Sequence, residues 1–232
     1  MKNNLKQATV KAQHLIEMIL VFGFVFNPWT KFPYTFAIII IGLILLYRVS
    51  NRPLLTLGFK SGIPLWRMVI WSLPVFLALE LVMDFMVQPV VTKLAHDPAD
   101  YTAFDALAGN TPKYLKYLAY MWISAAIGEE LLFRGYFFDK LELLFGQIKH
   151  RGMIIVFATA LLFSLPHLYQ GVAGLVVTFI FGLAFGLVYL QTGKVLWINI
   201  IVHGLVDTLF LTLAYLDYLN YYTLANDLLI GY

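Results

Sequence analysis

The sequence contains no cysteine and few charged residues. Without cysteine the chain can form neither a disulfide nor a thiolate metal site, and it has no cysteine nucleophile. Only 12% of its 232 residues are charged and 61% are hydrophobic, and the mean hydropathy is +0.79. Soluble domains are about 45–50% apolar. The composition therefore predicts an integral membrane protein whose surroundings are a lipid bilayer.

The sequence also lacks basic tracts interleaved with aromatic residues, which argues against a nucleic-acid partner. It shows no internal repeat, no low-complexity tract and no linker between domains. We therefore predict a single integral membrane domain over residues 1–232. Nothing in the sequence bears on its oligomeric state.

Three lysines, Lys2, Lys6 and Lys11, precede the first apolar run, as they do in a signal peptide. No small-residue cleavage site follows that run. The next residues, "NPWTKFPY", indicate a turn into a second apolar run. We therefore expect a signal-anchor helix that is retained.

Seven apolar stretches are long enough for helices that cross a bilayer, which takes about 20 residues, or about 17 where the bilayer is thin. They run over residues 10–26, 32–49, 65–87, 116–138, 153–168, 172–190 and 195–215. Two of them are short, so the sequence allows six to eight spans. The predicted fold is an all-α, polytopic transmembrane helical bundle.

The charges of the loops predict the orientation in the membrane. Beyond the N-terminal lysines, the basic clusters consist of Arg48, Arg52, Lys60 and Arg67, then Lys140, Lys149 and Arg151, then Lys194. The positive-inside rule places these clusters in the cytoplasm, and the lysines at 31, 93, 113 and 116 weaken it only slightly. We expect a plasma-membrane protein with a cytoplasmic N-terminus, an acidic outer loop over residues 92–112, and an outer C-terminus.

Three charges interrupt the fourth apolar stretch at "IGEELLFRGYFF", residues 127–138. In an α-helix Glu130 and Arg134 share a face and can form an ion pair, whereas Glu129 points about 100° away. An ionisable group inside a membrane is a candidate functional group, because burying it is costly. Alternatively, all three charges lie among water and lipid headgroups at the cytoplasmic end.

Two later spans carry histidines. Phe163 and His167 are one turn apart in "LLFSLPHLY", and His203 and Asp207 are one turn apart in "INIIVHGLVD". Asp207 can orient and charge the imidazole of His203. Each histidine alone can be structural. Polar groups in lipid must find one another or line a wet cavity, so we expect the three segments to meet at one intramembrane site.

Two other features suggest packing or a cavity wall. "GLAFG" places Gly182 and Gly186 four residues apart in the sixth span, which allows another helix to approach closely. Glu80 and Asp84 are likewise four residues apart in the third span. This acidic pair either lines the cavity or has a structural place near its outer mouth.

The three motifs resemble those of the CPBP family of intramembrane proteases. That family includes type II CAAX prenyl endopeptidases and bacteriocin-processing or immunity proteins. The resemblance covers about residues 114–216. It divides the chain into N-terminal spans with an outer loop (1–113), a CPBP-like catalytic core (114–216) and an interfacial tail (217–232).

The resemblance implies that Glu129 activates water with help from His167, while His203 and residue 207 stabilise the oxyanion. Glu130, Arg134 and Phe163 would support these groups. Prenyl endopeptidases of the family usually have asparagine where this chain has Asp207. Because an ionised aspartate cannot donate a hydrogen bond, Asp207 is either protonated or serves to orient and charge His203.

The predicted activity is hydrolysis of a peptide bond in a membrane-associated peptide or protein, in a cavity that opens towards the cytoplasm, the side of the basic loops. A zinc-dependent version, with Glu129, His167 and His203 as ligands, is the alternative to metal-free catalysis. The sequence also leaves open two functions of different classes. One is a non-catalytic protein of bacteriocin self-immunity or membrane scaffolding, and the second is a proton-coupled transporter.

The depths of the motif residues do not agree at once. At about 1.5 Å per residue, Glu129 lies about 16 Å and His203 about 13 Å from the basic end of their spans, whereas His167 lies about 24 Å from it. A tilted helix, a later helix start or a bend at Pro166 would bring His167 to the others.

Overall fold

The computed structural model describes residues 2–60, 62–219 and 221, and the side chains from residue 8 onward. Its described residues are helical with turns and short loops, and none of them lies in a strand. The helices are α1 (Lys2–Val25), α2 (Tyr34–Val49), α3 (Leu65–Val82), α4 (Gln88–Ala95), α5 (Thr111–Tyr120), α6 (Phe138–Phe145), α7 (Arg151–Ser164), α8 (Gly171–Gln191) and α9 (Leu196–Tyr215). The all-α prediction is confirmed.

Wider and tighter helical turns join several of these helices. Turns of π-helix occupy Met83–Val87, Met121–Glu129 and Leu131–Phe137, and 3₁₀ turns occupy Leu54–Leu57, Thr102–Leu107 and Leu165–Gln170. The π turns connect α3 to α4 and α5 to α6, so the described residues form seven helical rods. These rods coincide with the seven predicted spans to within a few residues, except that the first, third and fourth rods are longer.

Four helical stretches are long and apolar enough to cross a membrane: Ala8–Val25, Leu65–Ala95, Arg151–Gln191 and Leu196–Tyr215. The stretch Arg151–Gln191 includes both α7 and α8, and α2 is a shorter apolar helix. The rod from α5 to α6 contains the three charges at 129, 130 and 134. The protein is an integral membrane helical bundle.

The basic residues of the predicted cytoplasmic loops meet at one end of the bundle. Arg52 pairs with Asp139 at 2.7 Å, and Glu142 pairs with both Arg151 and Lys194. Lys140 is buried and pairs with Glu17 of α1. Asp139 and Lys140 are therefore both held by partners from other segments of the bundle.

The opposite end is closed by the loop between α4 and α5. This loop begins after Ala95 rather than at residue 92, because α4 extends the third rod. The backbone N–H of Asp100 donates to the carbonyl of Gln170 at 3.1 Å, and that of Gly109 donates to Tyr215 at 2.9 Å. These bonds fix the loop to the α7–α8 connection and to the end of α9. The predicted tail over 217–232 lies almost entirely outside the described residues.

A core of aromatic and aliphatic side chains fills the bundle between these ends. Its members at the centre are Leu132, Phe133, Tyr136, Phe137, Phe138, Phe185, Tyr189 and Leu196. At Gly182 a Cβ would come within 2.8 Å of the Cα of Ala160, and at Gly186 within 2.9 Å of Val156. The predicted close helix approach at these glycines is therefore confirmed, between α8 and α7.

Candidate active site

Glu129 ends the first of two π-helical segments in the α5–α6 rod, Glu130 separates the two, and Arg134 lies in the second. The sequence predicts an ordinary α-helix over this segment, and the structure differs. Single π turns inside α-helices recur at functional sites. Glu130 and Arg134 nevertheless share a face, because a step of four residues remains close to one turn in either geometry.

Glu130 is the centre of a hydrogen-bond network that joins two helices. Its side chain is fully buried, and its Oε1 accepts from Arg134 Nη1 at 2.8 Å. The same oxygen contacts Nδ1 of His203 at 2.9 Å, and Oε2 accepts from Asn199 Nδ2 at 3.2 Å. Because a carboxylate paired with arginine only accepts hydrogen bonds, Nδ1 of His203 carries a proton.

Arg134 is fully buried, and neighbouring groups compensate its charge. Its Nη2 donates to the carbonyl of Gly182 at 3.0 Å. Its guanidinium carbon lies 4.5 Å from the ring centroid of Phe163 and 5.2 Å from that of Phe185. Aromatic faces attract a cation, so the two rings and Glu130 together stabilise the buried charge.

Glu129 has a different environment from its neighbour. It is half-buried and lines a cavity of about 190 Å³. Within the described part of the chain, no hydrogen bond or ion pair joins its carboxyl group to another residue. His167, His203 and Asp207 line the same cavity. The structure thus brings the chemistry-bearing residues of the three motifs to one site.

His167 reaches this cavity because α7 ends early. The chain leaves the α-helix after Ser164 and continues as a 3₁₀ segment, Leu165–Gln170, which includes Pro166. Nδ1 of His167 lies 3.1 Å from the carbonyl oxygen of Phe163. A carbonyl only accepts, so Nδ1 donates and Nε2 remains an acceptor in the neutral ring. His167 lines the same cavity as Glu129 and His203, so the predicted difference in depth does not keep them apart.

His203 lies between two carboxyl groups. Its Nε2 is 3.6 Å from Oδ2 of Asp207, which is an ion-pair distance and too long for a hydrogen bond. Nδ1 faces Glu130 at 2.9 Å, and the ring stacks on Phe185 with centroids 4.9 Å apart. We expected Asp207 to hold this imidazole. In the structure Glu130 and Phe185 hold it, and Asp207 makes a looser contact.

Sequence reasoning missed Asn199, which is fully buried one turn before His203. Its Nδ2 donates to Glu130 at 3.2 Å and to the carbonyl of Phe185 at 2.8 Å. The signal was present, since Asn199, His203 and Asp207 follow at intervals of four and therefore share one face of α9. An asparagine in an otherwise apolar helix needs partners, and here Glu130 is one of them.

The mouth of the cavity lies at the end of the bundle that carries the loop after α4. Among the residues that line the cavity, Phe32 is 42% exposed and Tyr169 is 59% exposed. Tyr101 and Phe104 of the loop also line it. These exposed lining residues lie at the end opposite the basic loops, whereas we expected the cavity to open on the side of those loops.

Glu80 and Asp84 also line this cavity, together with Gln88. They lie on α3 and on the π turn that follows it. From the sequence, this acidic pair could either line the cavity or have a structural place near its outer mouth. In the structure both residues line the cavity. They are the acidic residues of the cavity that none of the three motifs contains.

A three-ligand metal site is not formed by these residues. Among the residues that the structure describes, no group of three His, Asp or Glu side chains is arranged to hold a metal ion. Glu129, His167 and His203 line the same cavity, but their side chains are not arranged around a common metal position. We therefore derive no chemical step through a metal.

The fold and the site define a helical membrane protein with a polar cavity that is lined by carboxylates and histidines. Residues 111–209 match the family model described as Rce1-like, type II CAAX prenyl endopeptidase Rce1-like. This stretch contains all three motifs, so the CPBP and CAAX-protease resemblance predicted from them is confirmed. No curated protein and no solved structure gives a significant match.

Proposed function

We propose that the protein is an intramembrane endopeptidase that hydrolyses a peptide bond of a membrane-associated peptide or protein with water activated by Glu129. The observation that carries the proposal is the contrast between the two glutamates. Glu130 is occupied by Arg134, His203 and Asn199. Glu129 has no such partner and lines the cavity with both histidines. The Rce1-like match supports the reaction class.

The proposed reaction begins when the Glu129 carboxylate takes a proton from a water molecule. The resulting hydroxide adds to the carbonyl carbon of the peptide bond, and the carbonyl electron pair moves to its oxygen. When this tetrahedral intermediate collapses, the C–N bond breaks. Glu129 then gives its proton to the leaving nitrogen, so the products are a carboxylic acid and an amine.

The two histidines have different hydrogen-bonding capacities, which suit different roles. Since Nδ1 of His167 donates to Phe163, its Nε2 can accept a hydrogen bond from the attacking water. His203 already gives its Nδ1 proton to Glu130, and a proton on Nε2 would face the cavity and Asp207. That N–H is the donor we assign to the oxyanion.

Asp207 acts on the charge of His203 in this proposal. Nε2 of His203 faces its Oδ2 at 3.6 Å, and that oxygen has no hydrogen-bond partner among the described residues. An opposite charge at this distance favours the protonated ring. This role differs from that of the asparagine usual in prenyl endopeptidases, which can itself donate a hydrogen bond.

The proposed mechanism needs no metal ion, because a glutamate and two histidines supply the base and the donors. The zinc alternative makes a different prediction for chelators. Activity that persists in excess chelator, with no zinc in the purified protein by elemental analysis, supports the metal-free reaction. Loss of activity in chelator and its recovery on adding zinc would overturn it.

The location of the mouth bears on where substrates enter. If the basic loops are cytoplasmic, as the positive-inside rule predicts, then Phe32 and Tyr169 mark an opening on the outer side of the plasma membrane. We therefore propose that the substrate reaches Glu129 from the outer leaflet or the outer aqueous phase.

The test is proteolysis by the purified protein in liposomes, with lipid-anchored fluorogenic peptides as substrates. Glu129→Ala and His167→Ala are expected to lose activity while the proteins remain folded. Asp105→Asn, in the exposed part of the outer loop, is the control for loss of a carboxylate. Full activity in either site variant contradicts the mechanism. If the Glu129→Ala protein also kept its biological activity in cells, the non-catalytic immunity or scaffold function would be favoured.

A further inference from the structure

The cavity has a second polar wall that the proposed reaction does not use. Glu80 and Asp84 are one turn apart and only 8% and 5% exposed. They line the same cavity as Glu129 and Asp207. Both lie outside residues 111–209, the segment with the Rce1-like match. This wall is therefore contributed by the N-terminal spans and is independent of the three motifs.

The hydrogen bonding of this wall is incomplete. Oδ1 of Asp84 accepts from Gln88 Nε2 at 2.9 Å, and Oε1 of Gln88 accepts from the hydroxyl of Tyr101 at 3.3 Å. These two hydrogen bonds connect Asp84, through Gln88, to Tyr101 of the outer loop. Oε1 of Glu80, in contrast, is buried and has no hydrogen-bond partner in the described part of the chain. A buried carboxyl oxygen without a partner is costly and indicates a missing donor.

The charges around the cavity identify the kind of donor. Among the described residues, four carboxyl groups line it, those of Glu80, Asp84, Glu129 and Asp207, and no lysine or arginine does. Glu80 and Asp84 are one turn apart on this wall, and Asp207 lines the same cavity. Carboxylates in a membrane normally pair with a cation. The groups that could compensate these four from within the cavity are the two histidines.

An ammonium or guanidinium group fits this wall better than a metal ion does. No three acidic or histidine side chains of the described residues are arranged around a common metal position. A lysine or arginine side chain would instead donate to Glu80 and Asp84 separately, and charge-assisted hydrogen bonds of this kind are strong. The amide of Gln88 and the hydroxyl of Tyr101 hold Asp84 in place for such a contact.

We propose that Glu80 and Asp84 form a subsite that binds a basic side chain of the peptide substrate beside the scissile bond. The subsite rests on the proposed endopeptidase function. Because Glu80, Asp84 and Glu129 line one cavity of about 190 Å³, the basic residue lies close to the scissile bond, and the two positions on either side of that bond are the ones to test. Substrates are thus peptides with lysine or arginine close to the cleavage site.

The experiment uses the full-length protein in liposomes and a set of acetylated, lipid-anchored fluorogenic peptides. The peptides are identical except for Lys, Gln or Glu at each of the two positions on either side of the bond. We expect kcat/KM for the best Lys peptide to exceed that of its Gln counterpart by at least about tenfold, as suits a charged hydrogen bond. The Glu peptide is expected to be the poorest substrate.

Variants connect this preference to the proposed residues. Glu80→Gln and Asp84→Asn are isosteric, and each is expected to bring the Lys-to-Gln ratio of kcat/KM close to one. Asp105→Asn removes an exposed carboxylate outside the cavity and is expected to keep both the ratio and the activity. Two variants are used so that the test remains valid if one of them does not fold. Size-exclusion elution and thermal unfolding identify the folded protein. A ratio that both folded variants keep overturns the proposal.

Further outcomes distinguish a failure of the subsite from a failure of the endopeptidase function on which it rests. If wild type cleaves the peptides without any preference for Lys, the subsite is wrong and the endopeptidase stands. If wild type cleaves none, but the Glu129→Gln protein binds the Lys peptide more tightly than the Gln peptide in a Glu80-dependent way, the subsite stands and the proposed activity fails. If the protein prefers a peptide with a free N-terminal ammonium to the acetylated Lys peptide, the assignment to a side chain is overturned.

Discussion

The two adjacent glutamates should respond differently to the same isosteric change. In Glu130→Gln, Arg134 loses the carboxylate at 2.8 Å and keeps the Gly182 carbonyl at 3.0 Å and two aromatic rings. His203 loses its charged partner at 2.9 Å. Removing one partner of a buried ion pair costs about 3–5 kcal/mol, because the other charge stays buried. Glu129→Gln removes no hydrogen bond or ion pair within the described residues.

These costs translate into melting temperatures. For a chain of this size about 1 kcal/mol shifts Tm by about 2–4 °C, so Glu130→Gln is expected to lower Tm by roughly 6–20 °C. Glu129→Gln is expected to leave Tm within about 2 °C of wild type. It should nevertheless lower kcat by about 100-fold to 10,000-fold, the usual contribution of a general base.

The assay is thermal unfolding of both purified variants in one detergent, followed by peptide cleavage at a temperature where both are folded. Asp105→Asn again serves as the control. An equal loss of Tm in the two variants would refute the division of roles between Glu129 and Glu130. A Glu130→Gln protein as stable as wild type would also refute it, because the network around Arg134 would then contribute nothing to the free energy of unfolding.

Three other predictions follow from the same geometry. Asp207→Asn should lower kcat/KM by less than about 100-fold, the lower end of a general base's contribution, since its contact with His203 at 3.6 Å is too long for a hydrogen bond; a loss as large as that of Glu129→Gln contradicts this. Asn199→Leu should cost about 1–3 kcal/mol, because two buried acceptors lose their donor; an unchanged Tm argues against the network. Because the chain has no cysteine, Ala103→Cys and Lys149→Cys are unique thiols, and a membrane-impermeant maleimide on intact cells should label only the former; the reverse result inverts the orientation.

The contacts that the sequence predicted best are those within a single helix. Glu130 and Arg134 pair because a spacing of four residues brings any two side chains to one face, and this survives even the change to π turns. The seven rods were predictable for a similar reason, because the thickness of a bilayer sets the length of an apolar run.

Contacts between helices were harder to predict. The bond from Glu130 to His203 and Asn199 depends on how the α5–α6 rod and α9 rotate and slide against each other, and no spacing along one helix determines that. The position of His167 depends on where α7 stops being α-helical, although Pro166 was a visible hint. The mouth of the cavity depends on the packing of the outer loop. Depth estimates from single spans could not locate it.

The ion pairs at the basic end have a consequence for the membrane itself. A cavity that admits water halfway through a bilayer shortens the barrier that protects the ion gradients of a cell. Below this cavity lie the fully buried Leu132, Phe133, Tyr136 and Phe137, and below them the ion pairs of Lys140 and Glu142 with Glu17 and Lys194. We expect this half of the bundle to act as an insulating plug. We expect proteoliposomes that contain the protein to hold a pH gradient as long as empty ones, and a fast leak of protons measured with an entrapped dye would show that the plug is open.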